Sequence, residues 1–361
     1  MTARVHNFSA GPGVLPETVL QEVQDSVWNF HGRGAGLLES SHRCAEFEAV
    51  IASARERLHR LLKCDEDQEV MFLHGGARTQ FFQIPMNLLR GGHAVYHDTG
   101  TWSDKAIIEA RRFGTVDVPF SSQAERYNRV PQPGDLDAPS KGTVYLHYTS
   151  NNTVAGSQYH HTPDSGEALL VCDASSDILS RPMDGSAFDV LYAGAQKNLG
   201  PAGTTIVVFR KSLLERCEKD IPIMCRYDTH LNKGSMYNTP CTFAIYTVER
   251  VAAWLEEQGG PEAMEEKNRR QARQVYDVID ATSFWTGKVE RSSRSWMNVT
   301  FTTGNEDLDD RIAADAAAEG LIGIRGHRSV GGLRASLYNA QTDAAVEALV
   351  SFLKDAEARL G

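Results

Sequence analysis

Lys197 has a neighbourhood of small residues. It sits in A-G-A-Q-K-N-L-G-P-A-G (residues 193–203), just after the apolar run V-L-Y. A lysine there could grip a phosphate, attack a carbonyl, or lie solvated on a turn. One strand earlier, L-L-V-C-D (169–173) ends on Asp173. Alone, that aspartate reads as a helix cap or a turn residue. Lys197, however, follows the next strand, Val190–Ala193. In open α/β sheets, ligands sit at the carboxyl ends of the strands. An aspartate and a lysine at neighbouring strand ends would face one crevice. Pyridoxal phosphate requires that pairing: the amine forms a Schiff base with the aldehyde, and the carboxylate keeps the pyridine nitrogen protonated.

Other residues fit the same cofactor. Trp102, in D-T-G-T-W-S (98–103), lies between a strand and a helix, where an indole can cover a ring face or simply pack. Thr153, in S-N-N-T-V-A-G (150–156), can offer a hydroxyl or serve as a turn residue. H-G-G-A-R-T (74–79) leaves a strand and enters a helix; its bare N–H groups suit an anion, or an ordinary turn. Two His-Arg pairs, His42–Arg43 and His327–Arg328, together with Arg334, suit a substrate with an anion at each end. Their bland alternative is surface salt bridges. G-R-G-A-G (32–36) has the wrong spacing for a dinucleotide fingerprint, and no strand precedes it. Gly287–Lys288 is followed by valine, so no P-loop is present. His160–His161 lacks a third ligand at suitable spacing, and no metal site is expected.

These residues need elements to hold them. Strand candidates are Val70–His74, Ala94–His97, Thr143–Tyr148, Leu169–Asp173, Val190–Ala193 and Thr204–Phe209. In E-F-E-A-V-I-A-S-A-R-E-R-L-H-R-L-L (46–62), residues Phe47, Val50, Ile51, Leu58, Leu61 and Leu62 fall on one helical face. Further helices are expected after Arg78 and after Ser103, and over Thr242–Leu255. The alternation predicts an α/β protein with a mostly parallel sheet covered by helices. The turn sequence Q-G-G-P, Gln258–Pro261, punctuates the chain. A helix (Glu262–Ile279), a strand (Met297–Thr302), a helix (Asp307–Glu319), a strand near Ala335–Tyr338 and a last helix from Thr342 follow, as a smaller α/β domain. The expected division is an arm over 1–15, a cofactor-binding domain over 16–258 and a small domain over 259–361.

Composition narrows the function classes. The 361 residues can bury a sizeable core, and 41% are hydrophobic. The net charge of −10 argues against general nucleic-acid binding, which needs a basic footprint. No apolar run approaches the roughly 18 residues of a membrane helix, and the first residues lack a signal-peptide core. Six scattered cysteines without a C-x-x-C pair point to a reducing, cytoplasmic setting.

At this point the motifs converge. N-F-S-A-G-P-G-V-L-P (7–16), S-H-R (41–43), H-G-G-A-R-T-Q-F (74–81), Y-A-G-A-Q-K-N-L-G-P-A-G (192–203), N-K-G-S-M-Y-N-T-P (232–240) and G-H-R-S-V-G-G-L-R-A-S-L-Y-N-A (326–340) run along nearly the whole chain. The chain resembles the phosphoserine aminotransferase family, class V aminotransferases of the fold-type-I pyridoxal-phosphate superfamily. The resemblance implies a large domain with a mostly parallel seven-stranded sheet and a smaller C-terminal domain. It implies transamination between L-glutamate and 3-phosphohydroxypyruvate in serine biosynthesis; some of the family also serve pyridoxine biosynthesis. Lys197 would carry the cofactor covalently, Asp173 would pair with the ring nitrogen, Trp102 would stack and Thr153 would hydrogen-bond the ring edge. Ala77 and Arg78 would give N–H groups to the phosphate, with Gln196 beside them. Asn238 and Thr239 would reach it from the second subunit of a homodimer. Arg334 would bind the α-carboxylate, His42, Arg43, His327 and Arg328 the far anion, and Ser9 would lie near. Family members often have glycine where Ala77 stands, so Ala77 must sit at negative φ.

Two other readings stay open. Another class V enzyme, an alanine–glyoxylate aminotransferase or a cysteine desulfurase, shares the lysine and the aspartate. A desulfurase needs a reactive cysteine on a mobile loop, and none of the six sits in an evident glycine-rich loop. A non-catalytic protein that kept the fold would not need the intact lysine, aspartate and arginine cluster.

Overall fold

The computed structural model describes residues 4–361. Its strands are β1 His6–Asn7, β2 Gln68–His74, β3 His93–Asp98, β4 Thr115–Ser121, β5 Tyr145–Thr149, β6 Leu169–Asp173, β7 Val190–Gly194, β8 Thr204–Arg210, β9 Thr286–Gly287, β10 Asn298–Thr302, β11 Leu321–Ile322 and β12 Leu333–Ser336. The helices are α1 Glu17–Trp28, α2 Ala45–Leu61, α3 Arg78–Leu88, α4 Thr101–Ala110, α5 Tyr227–Asn232, α6 Thr242–Glu257, α7 Gly260–Ala281, α8 Glu306–Ala318 and α9 Asp343–Leu360.

Seven strands form one sheet in the order β2-β8-β7-β6-β5-β3-β4. Only β8 runs against its neighbours β2 and β7; the other pairings are parallel. β5 and β7 are buried throughout, as continuous apolar strands of a sheet covered on both faces must be. The six strands expected from the sequence all form, within two residues at either end. The seventh, β4, reads T-V-D-V-P-F-S with alternate residues exposed. It is an edge strand, where Pro119 is tolerated and no continuous apolar run marks it.

One face of the sheet is covered by α1, α2 and α6. Phe47, Val50, Ile51, Ala54, Leu58 and Leu61 of α2 are buried there. Each large apolar side chain among them contributes about 1.5–3 kcal/mol on leaving water. Glu46 and Glu48 in the first turn of α2, and His59 and Arg60 in its last, complement its dipole. The other face carries α3 and α4, with Phe81, Ile84, Leu88, Ala106 and Ile107 buried. A separate core joins α7, α8 and α9 to the antiparallel sheet β9-β10-β12. Phe8, next to β1, lies in that second core.

The N-terminal arm crosses between the two cores. β1 pairs in parallel with β11. Tyr338 Oη then donates to the Ala10 carbonyl at 2.6 Å, and Gly13 N–H donates to the Gln196 carbonyl at 2.8 Å. Gly13 leaves no room for a side chain. A Cβ there would stand 2.6 Å from the Tyr338 ring and 2.8 Å from the Lys197 carbonyl oxygen. Tyr338 is fully buried and cannot step aside. Gly13→Ala is expected to cost about 1–3 kcal/mol by overpacking. The readout is a lower denaturant midpoint at unchanged slope; an unshifted midpoint would contradict it.

Candidate active site

The parallel strands aim their carboxyl ends at one edge of the sheet. His74, Asp98, Thr149, Asp173 and Gly194 end β2, β3, β5, β6 and β7 there. Register places Thr149 beside Asp173, and Asp173 beside Tyr192. A cleft opens above these ends. Its lining includes Ala77, Trp102, Asp173, Ser176, Gln196 and Lys197.

Lys197 stands on the turn between β7 and β8. Its Nζ donates to Thr153 Oγ1 at 2.6 Å and to Ser176 Oγ at 2.8 Å. Those two hydroxyls are 2.6 Å apart, so the amine completes a triangle of polar atoms. No carboxylate among the described residues touches it. Burial disfavours its charged form, Asp173 opposes that effect and Arg334 adds to it; the amine's pKa falls to about 8. The need for small residues in this loop is visible at Gly194. A Cβ there would stand 2.6 Å from Gln196 Oε1 and 3.3 Å from the Ala77 nitrogen.

Asp173 is the only acidic residue among those lining the cleft. Its Oδ1 accepts from the Ser175 N–H at 3.0 Å and from the Ser175 hydroxyl at 2.6 Å. Its second oxygen has no hydrogen-bond partner among the described residues. Burial raises its pKa, and the Ser175 bonds and Lys197 pull the other way. A buried carboxylate in that position calls for a cation that the protein itself does not place against it.

Trp102 falls in the first turn of α4, which starts three residues earlier than the sequence suggests. Its indole N–H is buried without a partner. The Arg78 guanidinium lies 5.1 Å from the ring centroid and Lys197 Nζ 6.0 Å. Across the cleft, Ala77 begins α3 at φ −50, in the region its methyl demands. A Cβ on Gly76 would meet nothing within 4 Å, so the backbone faces open space at this helix start. The mix of an orphan donor, an unpaired carboxylate oxygen, an indole and an open helix N-terminus fits a flat, phosphorylated, cationic ring.

Arg334, on β12, is brought to the same place from the second core. It is buried, donates from Nη1 to the Thr153 carbonyl at 3.1 Å, and keeps Nε without a partner. It forms no ion pair among the described residues. Thr153 thus links Lys197 through its hydroxyl to Arg334 through its carbonyl. His327 is half-buried and shares a bond of 2.7 Å with the Ser329 hydroxyl. Burial, then the charges of Arg334, Arg328 and Lys105, lower its pKa. Ser9 is half-buried on the arm, its N–H donating to Asn7 Oδ1 at 2.9 Å.

Nine expected residues are not among those lining the cleft: Thr153 and Arg334 join it through their bonds, and Ser9, His42, Arg43, Asn238, Thr239, His327 and the exposed Arg328 do not line it within one chain. Arg43 is exposed just ahead of α2, and the buried Nε2 of His42 has no partner. Asn238 and Thr239 are exposed and lie against His74: its Nε2 is 3.3 Å from Asn238 Nδ2 and 2.9 Å from the Thr239 carbonyl. Among the described residues no cluster of metal-ligating side chains occurs, and no helix is long and apolar enough to cross a membrane.

Residues 5–349 match the family model described as aminotransferase class-V. The chain belongs to that family. A phosphoserine aminotransferase of Desulfatibacillum aliphaticivorans is 48% identical over 364 residues, covering 100% of both chains. The structure of phosphoserine aminotransferase from Bacillus circulans subsp. alkalophilus matches with a TM-score of 0.96 at 44% identity, over 99% of each chain. That of the PLP-bound phosphoserine aminotransferase from Trichomonas vaginalis matches at 0.92 and 35% identity, over 97% of this chain and 100% of that one.

Three polar residues of this class-V aminotransferase cleft escaped the sequence reading. Ser175 and Ser176 follow Asp173 closely in D-A-S-S-D (173–177), and one holds the carboxylate while the other holds the amine. Hydroxyls just after a strand-ending aspartate were the available signal. Lys105 lies one helical turn beyond Trp102, with Nζ 5.4 Å from the indole centroid. Spacing of three from the tryptophan would have placed it on the same face.

Proposed function

We propose that this class-V aminotransferase uses pyridoxal phosphate to move an amino group between L-glutamate and 3-phosphohydroxypyruvate, giving O-phospho-L-serine and 2-oxoglutarate. The observation that carries the reading is the buried, carboxylate-free amine of Lys197 one strand from Asp173, with the unpaired Arg334 guanidinium joined to it through Thr153. The names of the full-length relatives support the substrate pair.

Pyridoxal phosphate, when bound, supplies an aldehyde that accepts the amino group and a protonated ring that withdraws electrons. The chain's own residues do the rest. Asp173 would keep the proton on the ring nitrogen, Trp102 would cover the ring, and Thr153 and Gln196 would border it. Ala77 and Arg78 present N–H groups to the phosphate at the start of α3. Arg334 takes the substrate α-carboxylate with its fork. Lys197 Nζ, held by the hydroxyls of Thr153 and Ser176, takes the α-proton. A pKa near 8 leaves a useful fraction of neutral amine close to pH 7. His327 and Arg328 receive the far anion, and Ser9 closes the arm side.

The remaining residues fit a homodimer. Asn238 and Thr239 would reach the phosphate of a second copy, and His42 and Arg43 would add to the far-anion pocket. We assign residues 16–258 to the cofactor-binding domain and 259–361 to the small domain, with 1–15 as the arm, and place the enzyme in the cytoplasm.

The test is spectroscopic. Glutamate should discharge the aldehyde-form absorbance of the loaded enzyme, and 3-phosphohydroxypyruvate should restore it, with ping-pong kinetics. Restoration by another 2-oxo acid but not by 3-phosphohydroxypyruvate would sink the substrate assignment.

A further inference from the structure

The cations Arg78, Lys105, Arg328 and Arg334 form no ion pair among the described residues. Arg78 and Lys105 lie 5.1 Å and 5.4 Å from the Trp102 ring centroid, His327 feels the charges of Arg334, Arg328 and Lys105, and Asp173 is the only acid among the described residues lining the cleft. Lys105 stands out. It is the fifth residue of the ten-residue α4, past the first turn. Glu109, four residues on, is the natural helical partner for it. Glu109 instead pairs with Arg112 at 3.1 Å. Asp104, its neighbour, directs its charge onto Asp98 and Tyr127. Among the described residues the Lys105 amine has neither a hydrogen bond nor an ion pair. It is half-buried, over the indole and within the electrostatic reach of His327.

A half-buried amine without a protein partner, among like charges, persists where an anion arrives to offset it. The α-carboxylate is met by Arg334, and the cofactor phosphate by the start of α3. The far anion, which His327 and Arg328 receive, is the one within electrostatic reach of Lys105.

We propose that Lys105 contacts the far anion of the substrate and biases the pocket toward a phosphate dianion over a carboxylate. This rests on the substrate pair proposed above. Lysine is a compact point charge without the planar fork that matches a carboxylate in two places. Its attraction therefore follows the charge of the ligand more than its shape, and a dianion gains about twice what a monoanion does.

Holoenzyme carrying Lys105→Met or Lys105→Arg tests this by steady-state kinetics with both substrates. Lys105→Met should raise the KM for 3-phosphohydroxypyruvate roughly tenfold, as loss of one charged hydrogen bond does. The KM for glutamate should rise clearly less, and kcat should change far less than either. Lys105→Arg should recover most of the loss. Equal increases in both KM values, no increase, or a fall in kcat alone would overturn the proposal. A wild-type enzyme that accepts glutamate yet refuses 3-phosphohydroxypyruvate would overturn the substrate pair as well, and it would be seen before any variant is made.

Discussion

Lys197→Ala is expected to reduce kcat by at least about 10⁴-fold while the protein still folds and still takes up cofactor without a covalent bond. The size follows from the two proposed roles lost together, the nucleophile that would hold the aldehyde and the base that would take the α-proton. The fold should not suffer. Burial opposes the charged amine, which is why its pKa falls to about 8 from 10.5. At pH 7 the lysine is charged in both folded and unfolded chains, so burying it costs roughly 3 kcal/mol at 1.36 kcal/mol per pKa unit. Removing it relieves that cost, against the loss of two hydrogen bonds and a small cavity. The sign has a pH signature in cofactor-free protein. Between about pH 8 and 10.5 the folded lysine is neutral and the unfolded one still charged, so stability on its account rises with pH. The melting temperature of wild type should therefore rise relative to that of Lys197→Ala across that window. Retained turnover, or a melting difference flat in pH, would contradict these roles.

Asp173→Asn is the second large effect. The amide has nearly the same shape and can still accept from Ser175. It cannot carry the negative charge that keeps a proton on a pyridine nitrogen. No other acid lines the cleft to take over. A single preorganised electrostatic partner of this kind is worth about 10²–10³ in kcat. Cofactor should still bind, because its phosphate contacts and Lys197 are untouched. Steady-state kcat on glutamate decides it, and a loss below tenfold would remove Asp173 from the ring nitrogen.

Much of this arrangement is legible in the sequence because parallel sheets write themselves plainly. β5, β6 and β7 are apolar runs whose ends carry Thr149, Asp173 and the Lys197 turn, and chain order alone puts the last two side by side. β4 was illegible because an edge strand needs no apolar run and accepts Pro119. β1 and β11 are two residues each, too short for any period to show. Ser176 and Lys105 act through where a turn and a helix point them, which residue types do not record. Arg334 was readable as a cation among glycines. Its bond to the Thr153 carbonyl, which joins the two cores at the site, required the fold.

The arm has a consequence for how this enzyme is made. Ala10 and Tyr338 are 328 positions apart, yet a hydrogen bond ties the arm to the chain just after β12. The ribosome delivers Ala10 long before Tyr338, at about 5–20 residues per second. Through the interval after Lys197 is made, the nascent chain contains Lys197, Asp173 and both partners of the Gly13–Gln196 bond, but neither Tyr338 nor Arg334. A chain stopped in that interval carries the lysine without the guanidinium that bonds the Thr153 carbonyl, so the two cores meet at the site only once β12 is made.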